Sequence, residues 1–234
     1  MSTIWLSSSV FSMEAVQDAV KRLDKNNIFF AYREWEHAEA RLQGNPTEMD
    51  LKDALAALNR ACLFRIRILK DVYNLKRIPG IDPNWGNTKI LQYLGIARSS
   101  TLDIIRNLRN QVEHELNDPP SREACTLYLD TVWYFLRSTD SMVSKLSKGM
   151  WILGSEDSGV IMTIFCAPPD WKIQIECFMD CELISDDKPM QEDAWIPLEC
   201  QVNSRSGEVR GVMRDQSKVI DFVRLYFKAT HTGM

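Results

Sequence analysis

Three side chains close together in this sequence have the types needed to hold a phosphate and move protons. Arg109, Asn110 and His114 lie in residues 98–118, RSSTLDIIRNLRNQVEHELND. A guanidinium presents a planar fork of donors that matches two phosphate oxygens. An imidazole titrates near neutral pH and can serve as general acid or base. Asn110 can orient either the phosphate or the imidazole. Cleavage of RNA without a metal needs such a set: a base for the 2′-hydroxyl, an acid for the leaving oxygen, and a cation for the charged transition state. A plainer reading stands beside this one. Arg109 and Glu113 are four apart, the spacing of an ordinary ion pair on a helix surface.

These residues must be positioned by a helix. With Ile105 as origin and about 100° per residue, Leu102, Leu108, Val112 and Leu116 fall within about 60° of it. That is a core stripe. Arg106, Asn110 and His114 follow one another at i+4 steps on a polar strip that runs to the opposite side. Arg109 lies between stripe and strip, about 140° from His114 on an ideal wheel. Either its long side chain bends around, or Arg106 shares the task of holding phosphate.

The order arginine, asparagine and then histidine resembles the signature of the HEPN superfamily. These are helical nucleotide-binding domains that include many metal-independent ribonucleases. The resemblance covers about residues 47–148, extends at most to residue 13, and leaves out the C-terminal third. It implies a mainly α fold: an N-terminal HEPN-like antiparallel helical bundle over residues 1–149, followed by a small α+β accessory domain over 150–234. It also implies a metal-independent endoribonuclease, with Arg109, Asn110 and His114 catalytic and no cofactor or metal. One histidine and one arginine are few for this chemistry. The family meets the shortage by bringing two motif helices together across a two-fold axis, so a homodimer acting on RNA is implied. Many such enzymes are toxins or effectors of antiviral defence. In toxin pairs the motif continues to a modifiable tyrosine; here that position is Leu116, which argues against control by that route. Members that have lost catalysis serve as RNA-binding or protein-binding modules, and this is the alternative function. A third reading is a structural subunit whose motif is a coincidental helix face.

Composition bounds the rest. The chain has 234 residues and is 45% hydrophobic, enough for one large core or two small ones. No apolar run is long enough to span a membrane, and MSTIWLSSSVFSMEAV makes a poor signal peptide. The six cysteines are scattered without a CxxC pair, and with three histidines in the chain a zinc site is not expected. Reduced cysteines in a cytoplasmic protein are the plain reading. Net charge is −4, but it is unevenly placed. Residues 1–149 hold 20 Lys and Arg against 18 Asp and Glu, a net of +2; residues 150–234 hold 8 against 14, a net of −6. A polyanion should meet the first part, and the acidic second part could face a basic protein partner.

Along the chain, residues 13–43 are helical in pattern, with Ala15, Val16, Ala19, Val20 and Leu23 on one face and His37 as a solvated surface histidine. Thr47 with Asp50 should cap a long helix. Its buried face runs from Leu51 to Tyr73 through Leu55, Leu58, Cys62, Ile66 and Leu69. Its other faces carry Arg60, Arg65, Arg67, Lys70, Lys76 and Arg77 against Asp71. That stripe is either a solvated face or a phosphate-facing patch, and Arg60, Arg67 and Arg106 are the candidate substrate-binding arginines. A loop follows at 78–88, then a short helix at 89–94, the motif helix, and a last long helix at 123–148. Beyond Gly149 the pattern alternates. Val160–Ala167 and the stretch from Trp171 read as a hairpin. Trp195–Val202 reads as a strand, at an edge because of Pro197, and Glu208–Met213 pairs back. Residues 218–229 suit helix or strand, with helix favoured.

Overall fold

The computed structural model describes residues 2–231 apart from 19, 23–27, 99, 102, 106, 108–109, 111–120, 155–158, 169, 179–180, 190–193, 204–205 and 214. The chain forms two compact units, and neither is continuous in sequence. One comprises residues 1–21, 74–85 and 146–234; the other comprises 22–73 and 86–145.

The first unit is built on an eight-stranded antiparallel sheet, which overturns the expectation of a mainly α chain. Its strands are β1 (Ser2–Ser7), β2 (Ala15–Gln17), β5 (Gly149–Leu153), β6 (Val160–Ala167), β7 (Lys172–Phe178), β8 (Ile184–Ser185), β9 (Trp195–Val202) and β10 (Glu208–Val212), in the order β2-β5-β6-β7-β10-β9-β1-β8. A separate two-stranded ribbon pairs β3 (Val20–Arg22) with β4 (Lys145–Ser147). The N-terminus is part of the sheet, not a lead-in to a helical bundle. β1 lies between β9 and β8, with Ile4 opposite Leu198 and Leu6 opposite Ile196. Ile4 and Leu6 alternate with Thr3 and Trp5, the period of a half-buried strand, and both are buried. Residues 15–17 and 20–22, expected on a helix face, are strands instead. Ala15 and Val16 pair with Ile152 and Trp151. Runs this short fit either period, and for Ala15–Gln17 a strand about 135 residues away settles the matter.

One sheet face is apolar: Met150, Ile152, Met162, Ile164, Ile173, Ile175, Leu198 and Val209 are buried on it. Helix α6 (Val219–His231) supplies the other half of this core through Val219, Phe222, Val223, Tyr226 and Phe227. Trp171 joins it at 5.7 Å from the Tyr226 ring and 5.9 Å from Phe227. Trp171 adopts φ 51°, unusual for a bulky residue. It belongs to the turn, and β7 starts one residue later. Burial of the indole offsets the strained backbone. The β6–β7 hairpin is as expected, with Phe165 opposite Gln174. β9 is not an edge: it pairs with β1 and β10. Pro197 fits because β10 stops at Val212, opposite Glu199, before reaching it.

The second unit is helical: α1 (Ile28–Arg41), α2 (Glu48–Tyr73), α3 (Asn87–Tyr93), α4 (Arg122–Ser138) and α5 (Asp140–Ser144). Thr47 and Asp50 cap α2 reciprocally. The Asp50 amide donates to Thr47 Oγ1 at 3.3 Å and the Thr47 amide donates to Asp50 Oδ2 at 3.0 Å. The Thr47 hydroxyl also donates to Asp50, and these bonds hold its carboxyl below the usual range. Trp35 of α1 packs its ring 4.7 Å from Trp133 of α4 and donates Nε1–H to Leu129 O. The expected single helix over 123–148 is broken. Thr139 turns its hydroxyl onto Phe135 O at 2.7 Å, α5 restarts beyond it, and Lys145 already begins a strand.

Candidate functional site

Helices α1 and α2 form an antiparallel hairpin whose seam can be followed residue by residue. The Phe30 and Phe64 rings lie 6.0 Å apart. One turn along, Arg60 Nε is 2.8 Å from Glu34 Oε2. At the closed end His37 Nε2 and Arg41 Nε share Asp53 Oδ2 at 3.0 and 2.9 Å, and Arg41 also reaches Asp50 at 3.3 Å. His37 is a solvated surface histidine, as expected, 42% exposed, and it is also tied to a carboxylate. These pairs are exposed and contribute little to stability each; they fix the register of the hairpin.

One outer strip of this hairpin is both aromatic and basic. Phe29, Phe30, Leu63 and Phe64 are all exposed. Arg60, Leu63, Phe64 and Arg67 follow the i, i+3, i+4, i+7 spacing of one helix face. The Arg33 guanidinium sits 5.7 Å over the Phe30 ring. Arg67 is 78% exposed, with Asp71 no nearer than 4.0 Å, and Lys70 lies 3.9 Å from the same carboxylate. Of the expected phosphate-holding arginines, the structure thus brings Arg60 and Arg67 onto one face, with Arg60 already engaged by Glu34.

The motif helix is described in part. Residues 100–101, 103–105, 107 and 110 are helical. Ile105 is buried and Asn110 is exposed, as the stripe and strip require. Arg106, Arg109 and His114 lie outside the described residues.

Arg65 does not belong to the exposed stripe: it is 0% exposed. Nη1 donates to Leu136 O at 2.8 Å and to Thr139 Oγ1 at 2.9 Å, and Nη2 meets Asp140 Oδ1 at 2.9 Å. The guanidinium lies 5.7 Å from the Tyr32 ring centre, and the Tyr32 hydroxyl donates to Asp140 Oδ2 at 2.6 Å. Arg65 Nε has no hydrogen-bond partner. Burial first, and the Asp140 carboxylate second, push the Tyr32 hydroxyl above its ordinary pKa. The arrangement caps the C-terminal end of α4 with a positive charge and so performs a structural task. Its signal was present in the sequence. Arg65 stands four residues after Ala61 and four before Leu69, on the apolar stripe itself.

Four of the six thiols do not offer a nucleophile. Burial raises Cys62 to about 12 and Cys125 to about 11, and raises Cys166 as well. A hydrogen bond to Cys181, together with burial, raises Cys177. Such thiols stay protonated at neutral pH. Among the described residues no group of three or more His, Cys, Asp or Glu is placed to hold a metal ion, and no helix is long and apolar enough to cross a membrane. Comparison of the chain with family models, with curated proteins and with solved structures returned no match.

Proposed function

We propose that the helical unit acts on RNA as a metal-independent endoribonuclease of HEPN type, working as a homodimer through the motif helix. The observation that carries this reading is the exposed, helical Asn110 on the helix that buries Ile105; the other motif residues, Arg109 and His114, are taken from the sequence. The reading no longer leans on a bundle over residues 1–149, because residues 2–17 belong to the sheet unit. In this mechanism His114 moves the proton, Arg109 or Arg106 stabilises the charged phosphorus centre, and Asn110 orients one of them. A second copy completes the set. The role is that of a toxin or antiviral effector in the cytoplasm, in keeping with six free cysteines. The acidic C-terminal part would dock a basic partner.

A second reading is a non-catalytic RNA-binding or protein-binding module. The exposed strip with Arg60 and Arg67 favours it, since that strip offers binding groups and no proton-transfer group.

The test is incubation of purified protein with labelled total RNA in excess EDTA, wild type beside His114→Ala. The nuclease reading expects cleavage by the wild type and none by the variant. Equal cleavage by both, or none by either, overturns catalysis at the motif; the second case leaves the binding module.

A further inference from the structure

The outer strip of the α1–α2 hairpin has a combination that a merely solvated helix face does not need. Four large apolar side chains, Phe29, Phe30, Leu63 and Phe64, face solvent within two short segments. Hydration of such surface is unfavourable, and on a monomer a contiguous apolar patch rimmed by charge marks a contact surface. Two of the rings already form a pair at 6.0 Å with an interplanar tilt of 32°. A third planar group, the Arg33 guanidinium, lies over one of them.

The charges on the rim choose the occupant. Arg33, Arg60, Arg67 and Lys70 stand there against Glu34, Asp71 and the exposed Glu36, which follows Phe29 and Arg33 on the same face of α1. Glu34 is consumed by Arg60 at 2.8 Å, whereas Asp71 is loosely held at 3.9–4.0 Å by two cations. The strip therefore retains positive charge next to open ring faces. A partner that brings both flat aromatic groups and evenly spaced negative charge satisfies both features at once. A nucleic acid strand with unpaired bases has that chemistry: bases stack on rings and guanidinium planes while phosphates meet arginine and lysine. A duplex hides its base faces and could use the cations alone.

We propose that this strip, with Phe29, Phe30 and Phe64 as stacking groups and Arg67 as the principal phosphate contact, is a platform for single-stranded RNA. The proposal rests on the reading of the protein as RNA-acting, and adds where the strand lies and that it must be unpaired. Loss of one ring costs about tenfold in affinity when a base is stacked on it. Phe29 and Arg67 are the cleanest positions to alter, because both side chains are more than half exposed.

The experiment is fluorescence anisotropy of a labelled single-stranded 20-nucleotide oligouridine and of a matched RNA duplex, at two salt concentrations in EDTA. Wild type is compared with Phe29→Ala and Arg67→Glu, with circular dichroism as the fold control and size-exclusion chromatography for oligomeric state. The expected result is preference for the single strand, a loss of about tenfold in Phe29→Ala, and a larger and salt-dependent loss in Arg67→Glu. If oligouridine binds but neither strip variant weakens it, the platform is overturned while the RNA reading stands. If Arg67→Glu weakens binding, Phe29→Ala does not, and the duplex binds equally, stacking is overturned in favour of a simple charged surface. If no RNA binds, both readings fall. Conversion of a wild-type dimer to a monomer by Phe29→Ala, without effect on RNA, assigns the strip to a second copy of the chain instead.

Discussion

The two units solve the same problem, what to do with backbone polar groups in a dry interior, in opposite ways. In the sheet unit the ladder satisfies them. Its buried face then needs only apolar residues and thiols, with the Tyr226 hydroxyl on Ser147 O at 3.0 Å as a rare polar contact. In the helical unit the elements end inside the fold, and each end leaves carbonyls without partners. A fully buried arginine is recruited to the end of α4, and that charge then needs Asp140, Thr139 and the Tyr32 ring around it. Helices carry their termini into the core; strands paired along a sheet do not. The difference predicts where each unit is fragile.

The largest effect should come from Arg65→Ala. It uncaps Leu136 O and takes one cation from Asp140, which keeps the Tyr32 hydroxyl at 2.6 Å and Arg137 at 3.6 Å, so the cost lies in the lower part of the range for breaking a buried charged pair, about 3–4 kcal/mol. Urea denaturation followed by circular dichroism measures it. Arg65→Met combined with Asp140→Leu should recover much of the loss, since the apolar pair leaves no charge uncompensated; failure to recover would mean that Arg65 serves chiefly as the helix cap. The matching test of the sheet unit is Phe222→Ala, which opens a cavity at a fully buried ring and costs about 3–4 kcal/mol. No second substitution of a charged residue should rescue it.

A smaller and more exact comparison uses two tyrosines. Tyr73 donates to Met142 O at 2.9 Å in the helical unit, and Tyr226 to Ser147 O in the sheet unit. Tyr73→Phe and Tyr226→Phe should each cost about 1 kcal/mol. A large inequality would show that one hydroxyl is coupled to a wider network.

Smaller still are the pH effects. Burial raises the Tyr226 and Tyr32 hydroxyls above their ordinary 10.0. The folded chain therefore holds those protons where the unfolded chain releases them. The stability they support is complete below pH 10.0 and is lost as pH rises above it, and Tyr226→Phe should flatten that alkaline limb. The smallest effect is at the α2 cap. Thr47 lowers the Asp50 carboxyl from 3.8, so its contribution is present above that value and lost as pH falls through the lower folded value. Thr47→Ala should weaken the protein at neutral pH, with the difference from wild type narrowing in acid.

Much of the helical unit was legible because its signals are local. The Thr47–Asp50 cap and the apolar stripe from Leu55 to Tyr73 placed α2 correctly, and the same wheel put Ile105 inside and Asn110 outside. Residues 218–229 were rightly favoured as a helix, which runs over Val219–His231. What failed depended on distant partners. β1 and β2 have patterns too short to declare themselves, and their pairing with β9 and β5 lies far along the chain. Arg65 was placed outside because its type outweighed its position. On the candidate site, Arg60 and Arg67 were named as members of a basic stripe, but their place on one face beside the rings of α1 became visible only once the hairpin was formed.

The sequence alone determined which segments carry a 3.6-residue or a two-residue period and where α2 starts. These follow from dihedral preference, capping and amphipathic spacing within a few residues. Only the tertiary structure decided that the chain's first strand completes a sheet made from its last third, that one arginine of a basic stripe is buried, and that exposed phenylalanines from two helices meet beside the remaining arginines. Each of these depends on bringing together residues far apart in sequence, and the free energy of that encounter is absent from any local window.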